Sequence, residues 1–211
     1  MSVVHYFASQ LREPKGWFGK LFMGRLINRA SRRLAENSVR LLDIGPGDKV
    51  LEIGFGGGAG LAGALAAASG GKVYGIDISL SMVEQVQGRF RREIEDGRLQ
   101  VRIGDVSKLP FESETFDRVF AVNNIYFWPD VVACLREIRR VLKDGGKVGI
   151  GNRSKEHMSR FQVTQHGFQL FSAEDLEGVL HQAGFRDVSV EHKRAVDSGR
   201  FPDQVIGVET K

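Results

Sequence analysis

Glu52-Ile53-Gly54-Phe55-Gly56-Gly57-Gly58-Ala59-Gly60 is the most informative stretch of this chain. The apolar, β-branched run that leads into it (49–53) predicts a buried strand, and the alanine-rich run that follows (59–69) predicts a helix. Glycines between a strand and a helix let the backbone turn tightly and let a ligand approach the N–H groups at the helix start. The stretch therefore predicts a site for a nucleotide-like ligand.

Strands and helices alternate along the rest of the chain. Such alternation predicts an α/β protein with a doubly wound, mainly parallel sheet. The last two of the seven strands are expected to pair antiparallel at one edge. We predict strands at 49–53, 72–76, 99–103, 117–122, 147–151, 186–191 and 204–209, and helices at 18–42, 59–69, 81–95, 129–142 (ended by Asp144-Gly145-Gly146) and 173–183. The resulting organisation is an N-terminal helical arm (1–45) followed by one domain (46–211).

Length and composition are those of an ordinary globular protein. The chain has 211 residues, of which 42% are hydrophobic and 27% charged, enough for one domain with a full core. No apolar run is long enough for a membrane span, and the N-terminus has no signal-peptide pattern, so we expect a cytoplasmic protein. Cys134 is the only cysteine and the five histidines lack ligand spacing, so we expect no metal site.

The basic residues are concentrated in the arm. Residues 1–45 hold eight Lys or Arg and three acidic residues, a net charge of +5, whereas residues 46–211 hold 22 and 23, a net charge of −1. One hypothesis is a helix that packs on the domain with its arginines in water. Another is a basic surface that attracts an anionic acceptor or an anionic membrane. No nucleic-acid-reading module accompanies the arm, so no nucleic-acid partner is expected.

Three carboxylates narrow the choice of ligand. Asp77 ends the second strand, where it can accept hydrogen bonds from ribose hydroxyls, and the glycine spacing alone also fits a dinucleotide. Glu52, however, brings a negative charge to the loop that would hold a pyrophosphate, which is unfavourable unless the ligand there is cationic. Asp105 ends the third strand and can accept from an adenine amino group. Together they favour an adenosine with an amino-acid tail over a nicotinamide dinucleotide.

The motifs resemble those of the class I S-adenosylmethionine-dependent methyltransferases, especially the small-molecule branch similar to ubiquinone and menaquinone biosynthesis enzymes. Six motifs occur in family order, among them 50–58, 75–79, 104–106 and 135–146. The resemblance implies a Rossmann-like domain and S-adenosylmethionine as cofactor, with S-adenosylhomocysteine as product. The residues expected to hold it are Glu52, Gly54, Phe55, Gly56, Gly58, Asp77, Ile78, Met82, Asp105, Val106 and Asn123.

The implied reaction is an in-line methyl transfer to a small-molecule acceptor, in which alignment in a dry pocket supplies much of the rate. The stretch 122–128, after the fourth strand, is the candidate acceptor side. Within it Tyr126 and Trp128 are candidates to line the acceptor pocket, with core packing as the alternative for both, and Tyr126 is also a candidate catalytic residue. His166 is the preferred candidate proton acceptor and His157 the second, in a segment (154–171) expected to form the substrate wall. A membrane-associated quinone or lipid acceptor, an NAD-dependent oxidoreductase and a non-catalytic S-adenosylmethionine-binding protein stay open as alternatives.

Overall fold

The centre of the fold is a seven-stranded sheet in a computed structural model that describes residues 24–193 and 204–211. Its strands are β1 (Lys49–Ile53), β2 (Lys72–Asp77), β3 (Leu99–Ile103), β4 (Phe116–Val122), β5 (Leu142–Arg153), β6 (Arg186–Lys193) and β7 (Gln204–Thr210). They lie in the order β3-β2-β1-β4-β5-β7-β6. Strands β1 to β5 are parallel, and β7 pairs antiparallel with both β5 and β6. The predicted doubly wound, mostly parallel fold is confirmed.

Helices connect the strands and cover the sheet. They are α1 (Gly24–Leu41), α2 (Ala59–Ala67), α3 (Leu80–Arg89), α4 (Arg91–Glu95), α5 (Val131–Val141), α6 (Lys155–Met158) and α7 (Ala173–Ala183), with short 3₁₀ turns at Ile125–Phe127 and Gln162–Gln165. The first six residues of the predicted arm helix (18–23), the rest of the N-terminus and the β6–β7 connection lie outside the described residues.

Two predicted elements differ from the structure by more than two residues at an end or by a break. The helix predicted at 81–95 is two helices, because Phe90 leaves helical geometry with φ −110° and ψ 33°. The strand predicted at 147–151 begins at Leu142, because Leu142 pairs with Phe116 of β4 ahead of a register shift. Helix α5 consequently ends at Val141, and Asp144-Gly145-Gly146 lies within the extended segment that follows the helix.

The C-terminal half of helix α1 and the residue that follows the helix pack on the sheet. Leu34, Ala35, Ser38 and Leu42 are all nearly or fully buried, and burial of each leucine contributes roughly 1.5–3 kcal/mol. The helix lies so close to β5 that a Cβ on Gly151 would be 2.3 Å from the Ser38 Oγ. The C-terminal part of the arm is therefore part of the same hydrophobic core as the sheet.

The described helices are all too short or too polar to cross a membrane. In the same part of the chain, no group of three or more His, Cys, Asp or Glu side chains is arranged to hold a metal ion.

Candidate functional site

The glycine-rich loop leaves β1 at the carboxyl edge of the sheet, where β2, β3 and β4 also end. Gly54, Gly56 and Gly58 all have positive φ (65°, 49° and 77°), which glycine adopts without strain. Gly54 also needs the absence of a side chain, because a Cβ there would be 2.1 Å from the Asn124 Nδ2. The loop thus follows a path that brings its backbone N–H groups toward the start of α2.

Asp77 fastens this loop to the end of β2. Its Oδ2 accepts a hydrogen bond from the Gly56 N–H at 2.9 Å, and its Oδ1 accepts from the Ser79 N–H at 2.9 Å. A carboxylate has about four acceptor positions, so the side chain can bind these two N–H groups and still accept from a ligand. Asp77 is 7% exposed and lines a cavity at this edge of the sheet.

A cavity of about 180 Å³ opens at this edge. Eight of the eleven predicted cofactor residues line it: Gly54, Gly56, Asp77, Ile78, Met82, Asp105, Val106 and Asn123. Trp128, a predicted acceptor-side aromatic residue, lines it as well. Six other lining residues were not among the predicted cofactor residues: Ile53, Gly104, Val122, Asn124, Phe127 and Pro129. Of these, Val122, Asn124 and Phe127 belong to the stretch 122–128 predicted for the acceptor side. The cavity therefore combines residues from the ends of all four strands.

The other three predicted cofactor residues lie outside this lining. Phe55 is buried, and its ring occupies the space above Gly75, where a Cβ would be 2.7 Å from the Phe55 Cδ1. Gly58 is buried against Phe90, whose Cε2 would be 2.8 Å from a Cβ on Gly58. Glu52 and Phe55 line a second, adjacent cavity of about 40 Å³.

Glu52 is the buried carboxyl group of the site. It is 2% exposed, accepts a hydrogen bond from the Leu61 N–H at the start of α2, and has no hydrogen-bond partner for its Oε2. Burial, and secondarily the negative charge of Asp77, raise the pKa of Glu52 well above its usual value. An unsatisfied buried carboxyl oxygen is unfavourable, and it suits a ligand that brings a donor or a positive charge.

Asp105 lies at the rim of the cavity, after β3. Its Oδ1 accepts from both the N–H and the Oγ of Ser107 at 2.8 Å. The turn that these bonds form holds the carboxylate at the cavity, which Ile78 and Met82 of the β2–α3 segment also line.

Two asparagines after β4 form the other wall. Asn123 has φ 55°, an uncommon conformation for a residue with a side chain, and its Nδ2 donates to the Ser31 Oγ of α1 at 2.9 Å. The Asn124 Nδ2 donates to the Ile53 carbonyl at the end of β1. These contacts join α1, β1 and β4 at the cavity.

The two predicted catalytic side chains are not in the cavity lining. Tyr126 is 2% exposed, and its hydroxyl accepts from the Arg153 N–H and lies 3.1 Å from the Arg153 carbonyl. Burial raises the pKa of Tyr126 above the ordinary tyrosine value. His166 is exposed at the end of the Gln162–Gln165 turn, and the ring of His157 packs edge-on against Phe161. A catalytic role for Tyr126 or His166 stays a prediction that this geometry does not favour.

Phe127 and Trp128 supply the aromatic surface instead. The Phe127 ring lies 4.6 Å from that of Phe168, which belongs to the predicted substrate-wall segment. Gln169 of the same segment donates from its N–H to the Tyr126 carbonyl and from its Nε2 to the Trp128 carbonyl. Segment 154–171 is thus fixed beside the aromatic side of the cavity.

A doubly wound sheet that brings a glycine-rich loop and two carboxylates, Asp77 and Asp105, to one cavity is typical of proteins that bind nucleotide-like ligands. A sequence family described as a methyltransferase domain matches residues 51–150. Methyltransferase GfsG of Streptomyces halstedii is 33% identical over 58% of this chain and 44% of its own length. The 27-O-demethylrifamycin SV methyltransferase of Amycolatopsis mediterranei is 32% identical over 60% of this chain and 46% of its own length.

Among solved structures, a SAM-dependent methyltransferase from Aquifex aeolicus has the same fold, with a TM-score of 0.69 and 22% identity over 88% of this chain and 96% of that one. The chain spans less than half the length of the two curated relatives. Residues 51–150 are therefore similar to a methyltransferase domain, and the described chain has the fold of a SAM-dependent methyltransferase.

Proposed function

We propose that this protein binds S-adenosylmethionine in the 180 Å³ cavity and transfers its methyl group to a small-molecule acceptor. The observation that carries the proposal is the convergence of the glycine-rich loop, Asp77 and Asp105 on one cavity at the carboxyl edge of the sheet. Open α/β sheets bind their ligands at this edge. The same residues fit an adenosine with a cationic amino-acid tail.

Each part of the ligand has a matching group in the site. Asp77 is assigned to the ribose hydroxyls, because its carboxylate is a hydrogen-bond acceptor that lines the cavity at the end of β2. Asp105 is assigned to the adenine amino group, with Ile78 and Val106 against the ring. The loop backbone and Glu52 are assigned to the amino-acid tail, because Glu52 has an unsatisfied buried oxygen.

The acceptor side is built for alignment. S-adenosylmethionine, when bound, supplies an electrophilic sulfonium methyl group. Apart from Asp77 and Asp105, the cavity lining contains no titratable side chain among the described residues. Asn123, Asn124 and the aromatic side chains Phe127 and Trp128 orient the acceptor and exclude water, and such orientation can supply about 7–11 kcal/mol of the barrier reduction.

The direct test is a calorimetric titration of the whole chain with S-adenosylhomocysteine, with NADH in parallel. Binding of S-adenosylhomocysteine alone supports the proposal. Binding of NADH alone would contradict it and would favour an NAD-dependent oxidoreductase. A cofactor-binding protein that methylates nothing in a broad acceptor panel would be the non-catalytic alternative. The name of the rifamycin relative gives an oxygen acceptor in that protein, so the panel starts with hydroxyl compounds, followed by amines, thiols and quinones.

A membrane-associated acceptor is a second possibility for the same activity. Its support is the basic arm (+5 over residues 1–45) and the exposed arginines of α1, of which Arg32 pairs with Glu36 at 2.9 Å. Clustered basic residues contribute about 1 kcal/mol each at an anionic surface. Co-sedimentation with anionic vesicles that weakens at high salt supports this acceptor class; absent or salt-independent binding removes it.

A further inference from the structure

The small cavity beside Glu52 differs in its chemistry from the 180 Å³ cavity. It measures about 40 Å³ and is enclosed by the glycine-rich loop, the start of α2, Val122 of β4, and Ser31 and Ala35 of α1. Glu52 is the single titratable side chain in its lining among the described residues. Gly54, Gly56 and Val122 line both cavities, so the two spaces share a wall made of two glycines and one apolar side chain.

The surroundings of Glu52 favour its uncharged form. Helix α2 contributes one N–H group, from Leu61, and β4 contributes the apolar side chains of Phe120 and Val122. The charged group that acts on it from β2 is Asp77, which is negative and so opposes ionisation. An ionised carboxylate with one free oxygen in such a site is strongly disfavoured. Burial and Asp77 accordingly raise the pKa of Glu52.

We propose that Glu52 is protonated in the free protein and exchanges its proton for the ammonium group of the amino-acid tail when S-adenosylmethionine or S-adenosylhomocysteine binds. The carboxylic O–H bond breaks, the proton leaves to the buffer, and the resulting carboxylate pairs with the ligand ammonium in the small cavity. The inference rests on the proposed function and adds that binding is coupled to the release of one proton.

The size and charge of the small cavity fit this exchange. A space of about 10–15 Å³ holds one water molecule, so 40 Å³ accommodates an ammonium group. The tail enters over Gly56, where a Cβ would meet no atom within 4 Å. A positive ligand group satisfies the Oε2, which has no partner otherwise, and offsets the repulsion from Asp77.

The test compares two ligands that differ by the tail alone. S-adenosylhomocysteine and 5′-methylthioadenosine are titrated into the whole chain by calorimetry, in two buffers of different ionisation enthalpy. The range is about pH 5 to about pH 6.5, well below the ordinary pKa of an α-amino group at about 7.7–8.0, so that the ligand ammonium remains protonated. We expect S-adenosylhomocysteine to release close to one proton at the acidic end of this range. Its affinity should rise by up to about tenfold per pH unit there. Methylthioadenosine, which lacks the tail, should release none.

The Glu52→Gln variant tests whether the released proton comes from Glu52. In this variant the proton release should vanish, and the affinity for S-adenosylhomocysteine should fall at least tenfold while that for methylthioadenosine changes less than twofold. An infrared carboxylic-acid band in the wild-type free protein that disappears with S-adenosylhomocysteine would show the same exchange without a variant.

The outcomes separate the two proposals. Tight binding of S-adenosylhomocysteine with no buffer dependence at any pH in the range would overturn the proton exchange and leave the proposed function intact. Proton release that persists in Glu52→Gln would overturn the assignment to Glu52. Failure of both ligands to bind the wild-type protein would overturn the proposed function and the exchange with it.

Discussion

Asp77→Ala is expected to weaken binding of S-adenosylhomocysteine at least tenfold. A hydrogen bond to a charged group contributes about 1.5–3 kcal/mol, and 1.4 kcal/mol corresponds to about a factor of ten in affinity. Loss of one ribose hydrogen bond therefore corresponds to roughly a 10- to 150-fold loss in affinity. The variant also leaves the N–H groups of Gly56 and Ser79 without their acceptor, which loosens the loop and adds to the loss.

Calorimetry with S-adenosylhomocysteine measures this change, and circular dichroism checks the fold. Asp117→Ala is the matched control, because the Asp117 carboxylate also accepts a backbone N–H, from Lys49 at 2.8 Å, and lies at the opposite ends of β1 and β4. Its affinity should match that of the wild type. An Asp77→Ala protein that folds and binds within threefold of wild type would refute the assignment of Asp77 to the ribose.

Three further predictions concern the loop and the core. Gly60→Ala places a Cβ 2.3 Å from the buried Oε1 of Glu52 and should lower the free energy of unfolding by about 1–3 kcal/mol. Thermal denaturation measures this beside Gly47→Ala, where the Cβ meets nothing within 4 Å, and equal melting temperatures would contradict it. Arg89→Ala removes the 2.6 Å bond to the Gly57 carbonyl and should weaken S-adenosylhomocysteine binding about three- to tenfold by calorimetry; unchanged affinity would show that this bond does not position the loop. Cys134 is fully buried, and burial raises the pKa of its thiol to about 11. The thiol of the native protein should therefore resist iodoacetamide at neutral pH and react once the protein is unfolded. Mass spectrometry follows the labelling, and rapid labelling of the native protein would contradict the prediction.

The sequence predicts that the glycine-rich loop and Asp77 meet at one edge of the sheet because its signals there are local. Gly54 and Gly56 follow a strand directly, and Asp77 ends the next one, so parallel pairing alone brings them to one edge of the sheet. The bounds of β5 are not local in this sense. The start of β5 depends on the pairing of Leu142 with Phe116, which are far apart in the chain. The Asp144-Gly145-Gly146 sequence predicts a turn, so the sequence alone does not indicate that β5 begins before it.

The part of the cavity that follows β4 is harder to predict because it also depends on contacts between residues far apart in the chain. Asn124 adjoins the loop only because β4 lies next to β1, which puts its side chain against Gly54. Among three consecutive aromatic residues, Tyr126 to Trp128, the sequence does not say which ones face the cavity. The 3₁₀ turn at Ile125–Phe127 decides this by turning Tyr126 inward to Arg153.

The position of β7 has a consequence for the order of folding. β7 lies between β5 and β6, although it follows both in the chain. While the chain emerges from the ribosome, the β5 segment that carries Val148 and Ile150 has no neighbour on that side until residues 204–210 have been made. An unpaired apolar strand edge is a site of misassociation. Completion of this half of the sheet must therefore wait for its final strand, which inserts between two strands already synthesised.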